Sequence, residues 1–182
     1  MRLIRNILFS IVILIVVFLA GAYVLPAKVS VSRDIVINAP VASVFPHVND
    51  LRKFQQWSPW AVIDTDMKVV YSGAETGKGQ IMAWTSKDPN VGSGSQKITH
   101  VVVNELVETK LDFGEMGFAT AAWHLQSKNT DKGDGTQVSW SFHTDLGGNP
   151  LNRWMGLLFD SWIGKDYDKG LNMLKEIVEK EK

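Results

Sequence analysis

Residues 31–60 read VSRDIVINAPVASVFPHVNDLRKFQQWSPW, and the order of patterns inside them decides the fold. Residues 29–37, VSVSRDIVI, alternate at first and finish apolar, as a strand does. Asn38-Ala39-Pro40 then offers a helix start, with Pro40 near the first helical position, where a missing N–H costs nothing. Val41, Val44, Phe45 and Val48 recur at helical spacing, and Pro46 is expected to kink or shorten that helix. A second short helical turn over 51–56 runs into Trp57-Ser58-Pro59-Trp60. Loops are usually polar, so two of the seven tryptophans beside a Ser-Pro turn need a reason. They either plug the end of a core or wall a pocket.

Beyond Trp60 the apolar period becomes two for about eighty residues. Met67, Val69 and Tyr71 mark one strand, and Met82 and Trp84 share a face of the next. SQKITHVVVNEL follows, and then Val107, Thr109, Leu111 and Phe113 alternate against Glu108, Lys110 and Asp112. FATAAWHLQ and the run carrying Val138, Trp140 and Phe142 complete about six consecutive strands joined by short turns, an antiparallel meander. Asn149-Pro150 opens the last element. From Leu151 through Trp154, Leu158, Trp162, Tyr167, Leu171 and Leu174 to Val178, apolar residues recur mostly at steps of three or four, which predicts one amphipathic helix of about thirty residues. Gly156, Gly164 and Gly170 interrupt it, as a helix tolerates where a neighbour comes close. The expected class is α+β: a curved antiparallel sheet of about seven strands wrapped on a long C-terminal helix, with two short helices after the first strand. A sheet curled around a helix leaves room for a ligand cavity.

Ahead of this body, residues 7–25 read ILFSIVILIVVFLAGAYVL, without a charge. About 19 helical residues span roughly 28 Å, close to the hydrocarbon thickness of a bilayer. The expected organisation is a transmembrane anchor over 1–27 and one globular domain over 28–182. Arg2 and Arg5 followed by Ala20-Gly21-Ala22 also suit a cleavable signal peptide, although the apolar run continues past that site. Either reading keeps the N-terminus inside and places the domain on the extracytoplasmic side. The chain has 19 basic and 19 acidic residues; setting aside Arg2 and Arg5 leaves 17 against 19. Such a balance gives no electrostatic reason for nucleic-acid binding.

Catalytic and metal motifs are weak. There is no cysteine. Residues 73–79, GAETGKG, have too few residues before Gly77-Lys78 for a phosphate loop and lead into a strand, so a hairpin is expected. Residues 129–136, NTDKGDGT, misplace the glycine and the closing glutamate of a calcium loop. His47, His100, His124 and His143 form no ligand pair. Asp145 and Asp160 could each face a pocket, but no carboxylate pair is marked. No metal, no cofactor and no defined catalytic set is expected.

The aromatic residues are more informative. Trp57, Trp60, Trp84, Phe113, Phe118, Trp123, Trp140, Trp154 and Phe159 are spread over nearly every element. Each buries about 150–250 Å², either as core or as the wall of an apolar cavity. With Tyr71 they are the candidate cavity lining, and Tyr71, Thr109 or His124 would orient a ligand.

The segments 31–60, 71–84 (YSGAETGKGQIMAW), 91–98 (VGSGSQKI) and 136–142 (TQVSWSF), with the terminal helix, resemble the SRPBCC superfamily. That superfamily is the helix-grip fold of START domains, pollen-type allergens and polyketide cyclase-like proteins. The likeness runs from about residue 29 to 179 and is greatest to a bacterial membrane-anchored polyketide cyclase/dehydrase branch. It implies the helix-grip fold and an inner-membrane protein with a periplasmic domain. It also implies that Trp57 and Trp60 sit at the rim of the cavity. Two functions fit: binding a hydrophobic small molecule or lipid, or an enzyme of cyclase or isomerase type acting in the same cavity.

Overall fold

In a computed structural model describing residues 2–181, strand β1 (Lys28–Ile37) follows the apolar helix α1 (Arg2–Val24) after a short link. Three short helices come next: α2 (Val41–Val48), α3 (Leu51–Trp57) and α4 (Pro59–Ile63). The meander is β2 (Lys68–Gly73), β3 (Gln80–Thr85), β4 (Ser93–Val102), β5 (Leu106–Asp112), β6 (Phe118–Thr130) and β7 (Gly133–Asp145). Helices α5 (Pro150–Gly156) and α6 (Phe159–Lys180) close the chain. The seven strands form one sheet in the order β1-β7-β6-β5-β4-β3-β2. Every neighbouring pair is antiparallel. Alternation in β6 sends Ala119, Ala121, Trp123 and Leu125 inward and leaves Thr120 and His124 outside. Helix α6 covers the inner face with Tyr167, Leu171, Leu174 and Val178.

Three local features depart from the sequence pattern. Trp57-Ser-Pro-Trp60 is a helix junction: Trp57 ends α3, Ser58 is the N-terminal cap position of α4 and Pro59 its first residue. A third short helix is therefore added to the two expected. Pro46 is accommodated in the last turn of α2, which ends two residues later. The polar run 127–135 carries β6 and β7 out to a tight turn at Asp131-Lys132.

The thirty-residue helix is broken in two. The N–H groups of Leu157 and Leu158 bond back three residues, to Trp154 and Met155, ending α5 with a tightened turn. Gly156 lets α5 close onto the sheet, since a Cβ there would lie 2.6 Å from Leu146. The break turns Trp154 away from the sheet and onto α1. Both helices keep spacings of three and four, so periodicity runs through the joint unbroken. Within α6, a Cβ on Gly170 would lie 2.9 Å from the Trp140 ring and 3.0 Å from Pro59.

The register defines two ends. Lys28 pairs with Asp145, and Asp112 with Phe118. The start of β1, the end of β7 and the β5–β6 turn therefore lie together with α1 and α5. Ile37 pairs with Thr136 and Val102 with Leu106, so the opposite end holds the β4–β5 turn and α2. The last turn of α6 meets α2 there, where Glu181 reaches His47.

Candidate functional site

The floor of the site is an aromatic stack. Trp140 and Tyr167 lie face to face at 3.7 Å, and Trp57 meets Trp140 edge-on at 5.4 Å. Phe54 and Trp123 complete the group. The Trp57 indole donates to the backbone carbonyl of His47 at 3.1 Å, which ties α3 to α2. Burial alone pushes the Tyr167 phenol far above its usual range, so this ring serves as an uncharged wall.

Above the floor, towards α1, the sheet and α6 stand apart around a cavity of about 400 Å³. Met82 and Trp84 of β3, Leu111 and Phe113 at the end of β5, and Phe142 of β7 form the sheet wall. Phe159, Ile163 and Tyr167 form the helix wall, while Trp60 and Phe54 close the side. Trp84 lies over Gly94, where a Cβ would come within 2.8 Å of its ring, and meets Phe113 edge-on at 6.0 Å. Met116, Phe118, Asn152 and Trp162 stand at the mouth.

A few polar groups face this apolar space. Asp166 of α6 is half-buried, and burial raises its carboxyl above the usual range against the lowering effects of a Trp60 hydrogen bond and Lys169. Gln96 of β4 also lines the cavity; its Nε2 donates to Thr109 Oγ1 at 3.1 Å. The third is Gln55 of α3, whose side-chain Oε1 is buried without a hydrogen-bond partner.

Of the ten residues singled out from sequence, Trp60, Trp84, Phe113, Phe118 and Phe159 line the cavity. Trp57, Trp123 and Trp140 lie beneath it as buried core, because they pack on one another and on Phe54 and Tyr167. Trp57 thus plugs the core, whereas Trp60, one helical junction later, walls the pocket. Tyr71 packs at the sheet edge under the Arg52 guanidinium, 4.9 Å from its ring centre. Trp154 stacks on Phe18 of α1 at 5.4 Å and donates to its carbonyl.

The polar candidates also divide. The Thr109 hydroxyl is buried and occupied, accepting from Gln96 and donating to the Ala121 carbonyl. His100, His124 and His143 are exposed. His47 is buried at the far end, its Nε2 3.1 Å from Glu181. Asp160 turns outward to Arg33 at 2.9 Å, while Asp145 reaches the cavity mouth. Among the described residues no group of three His, Cys, Asp or Glu could hold a metal ion. In the loop 73–79 the amides of Gly77 and Gly79 bond to the carbonyls of Asn49 and Ile98, so they are spent within the fold.

Sequence reasoning missed Gln55, Gln96 and Asp166. Gln96 had a legible signal: it shares the inner face of β4 with Ile98, a polar residue in an apolar alternation. Asp166 had none, because it adjoins Tyr167 on a helix rich in charge.

A curved antiparallel sheet gripping a C-terminal helix, with an apolar cavity between them, defines a helix-grip protein of the SRPBCC superfamily. The chain belongs to the polyketide cyclase/dehydrase and lipid transport family, whose model matches residues 28–179. Solved structures share the fold at low identity. CalU16 from Micromonospora echinospora is 15% identical with a TM-score of 0.54, over 82% of this chain and 73% of that one. Ara h 8.0201 is 15% identical with a TM-score of 0.54, over 83% and 97%. SA2116 from Staphylococcus aureus, a protein of unknown function, is 10% identical with a TM-score of 0.61, over 85% and 95%. No curated protein matches the sequence. Family and fold together support hydrophobic-ligand binding or a cyclase role in general terms.

Proposed function

We propose that this protein is a membrane-tethered binder of a hydrophobic small molecule or lipid, held in the cavity between sheet and α6. The observation that carries the reading is the position and chemistry of that cavity: aromatic and methionine walls, a few polar groups, and a mouth bordered by α5, the helix that packs on α1. At about 400 Å³ it lies near the lower end of the 300–1,000 Å³ typical of ligand pockets. That volume suits one acyl chain or a compact polycyclic skeleton better than a two-chain lipid. Helix α1 is long and apolar enough to cross a bilayer. Arg2 and Arg5 favour the inside for its N-terminus, which puts the domain on the extracytoplasmic face. Tethering there raises the effective concentration of ligands drawn from the membrane.

Asp166 and Gln55 orient the ligand in this reading. A carboxyl with a raised pKa holds its proton to higher pH and then donates to a carbonyl or carboxylate head. The Gln55 Oε1 accepts from a hydroxyl. Titrating the detergent-solubilised full chain with a fluorescent single-chain fatty acid tests this. Saturable one-to-one binding that weakens in Trp84→Ala and Asp166→Asn supports the assignment; absence of binding to this and to polycyclic probes defeats it.

One observation favours the cyclase-type alternative. Asp166 is a half-buried acid facing an apolar cavity, its pKa raised by burial, the kind of setting that suits a proton-transferring carboxyl. On that reading Asp166→Asn abolishes turnover of a polyketone substrate while leaving its binding in place.

A further inference from the structure

Exposed large apolar residues are unevenly distributed over the domain. Met116 and Phe118 in and after the β5–β6 turn, Leu151, Met155, Leu157 and Leu158 in and after α5, and Trp162 of α6 are all solvent-exposed. Met116 is 78% exposed and Leu151 61%. Leu151 and Met155 are spaced i, i+4 and share one face of α5, and Leu158 follows in the joint to α6. Elsewhere on the domain the exposed large apolar residues are Val62, Ile63, Val70, Val102 and Val103, spread over α4, β2 and the β4–β5 turn. Scattered valines need no explanation, whereas a cluster of Met, Leu, Phe and Trp around a cavity mouth does.

Its neighbour identifies what covers it. Trp154 flanks the Leu151–Met155 pair on α5 and stacks on Phe18, and a Cβ on Gly21 would lie 3.0 Å from its ring. Phe18 lies seven residues before Leu25, which is roughly 10 Å along a helix at 1.5 Å per residue. An amphipathic helix lying in the interface sinks its apolar face about 5–10 Å into the headgroup and acyl boundary. Helix α5 is thus held, by direct contact with α1, at the depth where such a face is buried. Arg153 sits higher, 5.3 Å over the Tyr23 ring and bonded to the Tyr23 and Leu25 carbonyls, where a cation meets the headgroups.

We propose that the α1 end of the domain seats in the bilayer that α1 crosses, with Met116, Phe118, Leu151, Met155, Leu158 and Trp162 in the interfacial layer, so that the cavity mouth opens into lipid. This rests on the membrane-tethered reading above and adds the route of exchange: a ligand passes between membrane and cavity without crossing water. Charge does not drive the docking. Asp112, Glu115 and Asp145 offset Lys28, Lys110 and Arg153 at this end, and the adjoining loops add Asp64, Asp66 and Asp88 against Lys68 and Lys87, so apolar burial carries the docking and a zwitterionic surface suffices.

Because the chain lacks cysteine, single labels test the proposal directly. The full chain carrying Met116→Cys, Leu151→Cys, Val103→Cys or Ile13→Cys is labelled with an environment-sensitive fluorophore and reconstituted into phosphatidylcholine vesicles. Labels at 116 and 151 are expected to shift to the blue, lose access to iodide and be quenched by shallow nitroxide lipids, while the label at 103 stays in water. The proposal is overturned if 116 and 151 are as open to iodide as 103 while the label at 13 reports lipid; the tether then stands and the docking fails. A label at 13 that reports water removes the tether and the docking together. Iodide protection at 116 and 151 without nitroxide quenching also overturns it, in favour of contact between copies of the chain.

Discussion

The two ends of the grip are built from the same elements and finished oppositely. At the far end polar side chains lock the closure. Glu179 accepts from both the backbone and the side-chain amide of Asn38 at 2.8 Å, which holds its carboxyl below the usual range. Thr136 donates to the Ala39 carbonyl at 2.7 Å. Gln80, fully buried, accepts from Leu51 N–H and donates to Asp50 and to the Glu75 carbonyl. Towards the α1 end, Arg33 ties β1 to Asp160 and Asp168 on the outer flank of α6, but the inner faces meet through apolar rings around a space, and the rim is greasy. Closure by satisfied hydrogen bonds gives one rigid arrangement, whereas a space walled by aromatic and methionine side chains admits an apolar guest. The aromatic floor separates the two.

That division can be broken most severely at the floor. Trp140→Ala removes the ring stacked on Tyr167 and is expected to cost about 3–5 kcal/mol, read from denaturant unfolding of the detergent-solubilised chain. Gln80→Ala attacks the far end alone. It strands the buried Leu51 N–H and is expected to cost roughly 1–3 kcal/mol with ligand affinity unchanged. Trp84→Ala attacks the cavity end: it widens an existing space and should cost only about 1–2 kcal/mol while abolishing binding. A Trp84→Ala chain that binds as tightly as the parent would remove the functional distinction between the ends.

The smallest effect is a pH dependence at the far end. Burial lowers the His47 pKa, outweighing the pull of Glu181. The folded state then resists protonation that the unfolded chain accepts, so this contribution is complete above about pH 6.5, where an unfolded imidazole titrates, and is lost as pH falls from there through the lower folded-state pKa. Stability measured from pH 7.5 to 5 should fall more steeply in the parent than in His47→Gln. A parent curve no steeper than the variant's contradicts the sign.

Most of the fold could be read because its signals are periodic. The inward row of β6 and the alternation in β5 announce half-buried strands whatever lies around them. The site was half legible. Aromatic residues mark burial, but core and cavity wall call for the same side chains, so Trp57 and Trp60 look alike in sequence. What separates them is tertiary: Trp57 is enclosed by Phe54, Trp123 and Trp140, whereas Trp60 borders the open space. Trp154 was misplaced for another reason: the stripe of α5 continues that of α6 in phase, and only the contact with α1 turns it outward. Asp166 was invisible because nothing local tells a half-buried carboxylate from the solvated ones beside it.

If the space above the aromatic floor holds an apolar guest, that guest should travel with the protein. Native mass spectrometry of the full chain, purified gently from its host cells and followed by lipid analysis, reads this out. A single stoichiometric apolar adduct is expected, present in the parent and in Gln80→Ala and lost in Trp84→Ala. A chain that is always empty, or an adduct indifferent to Trp84→Ala, would contradict it.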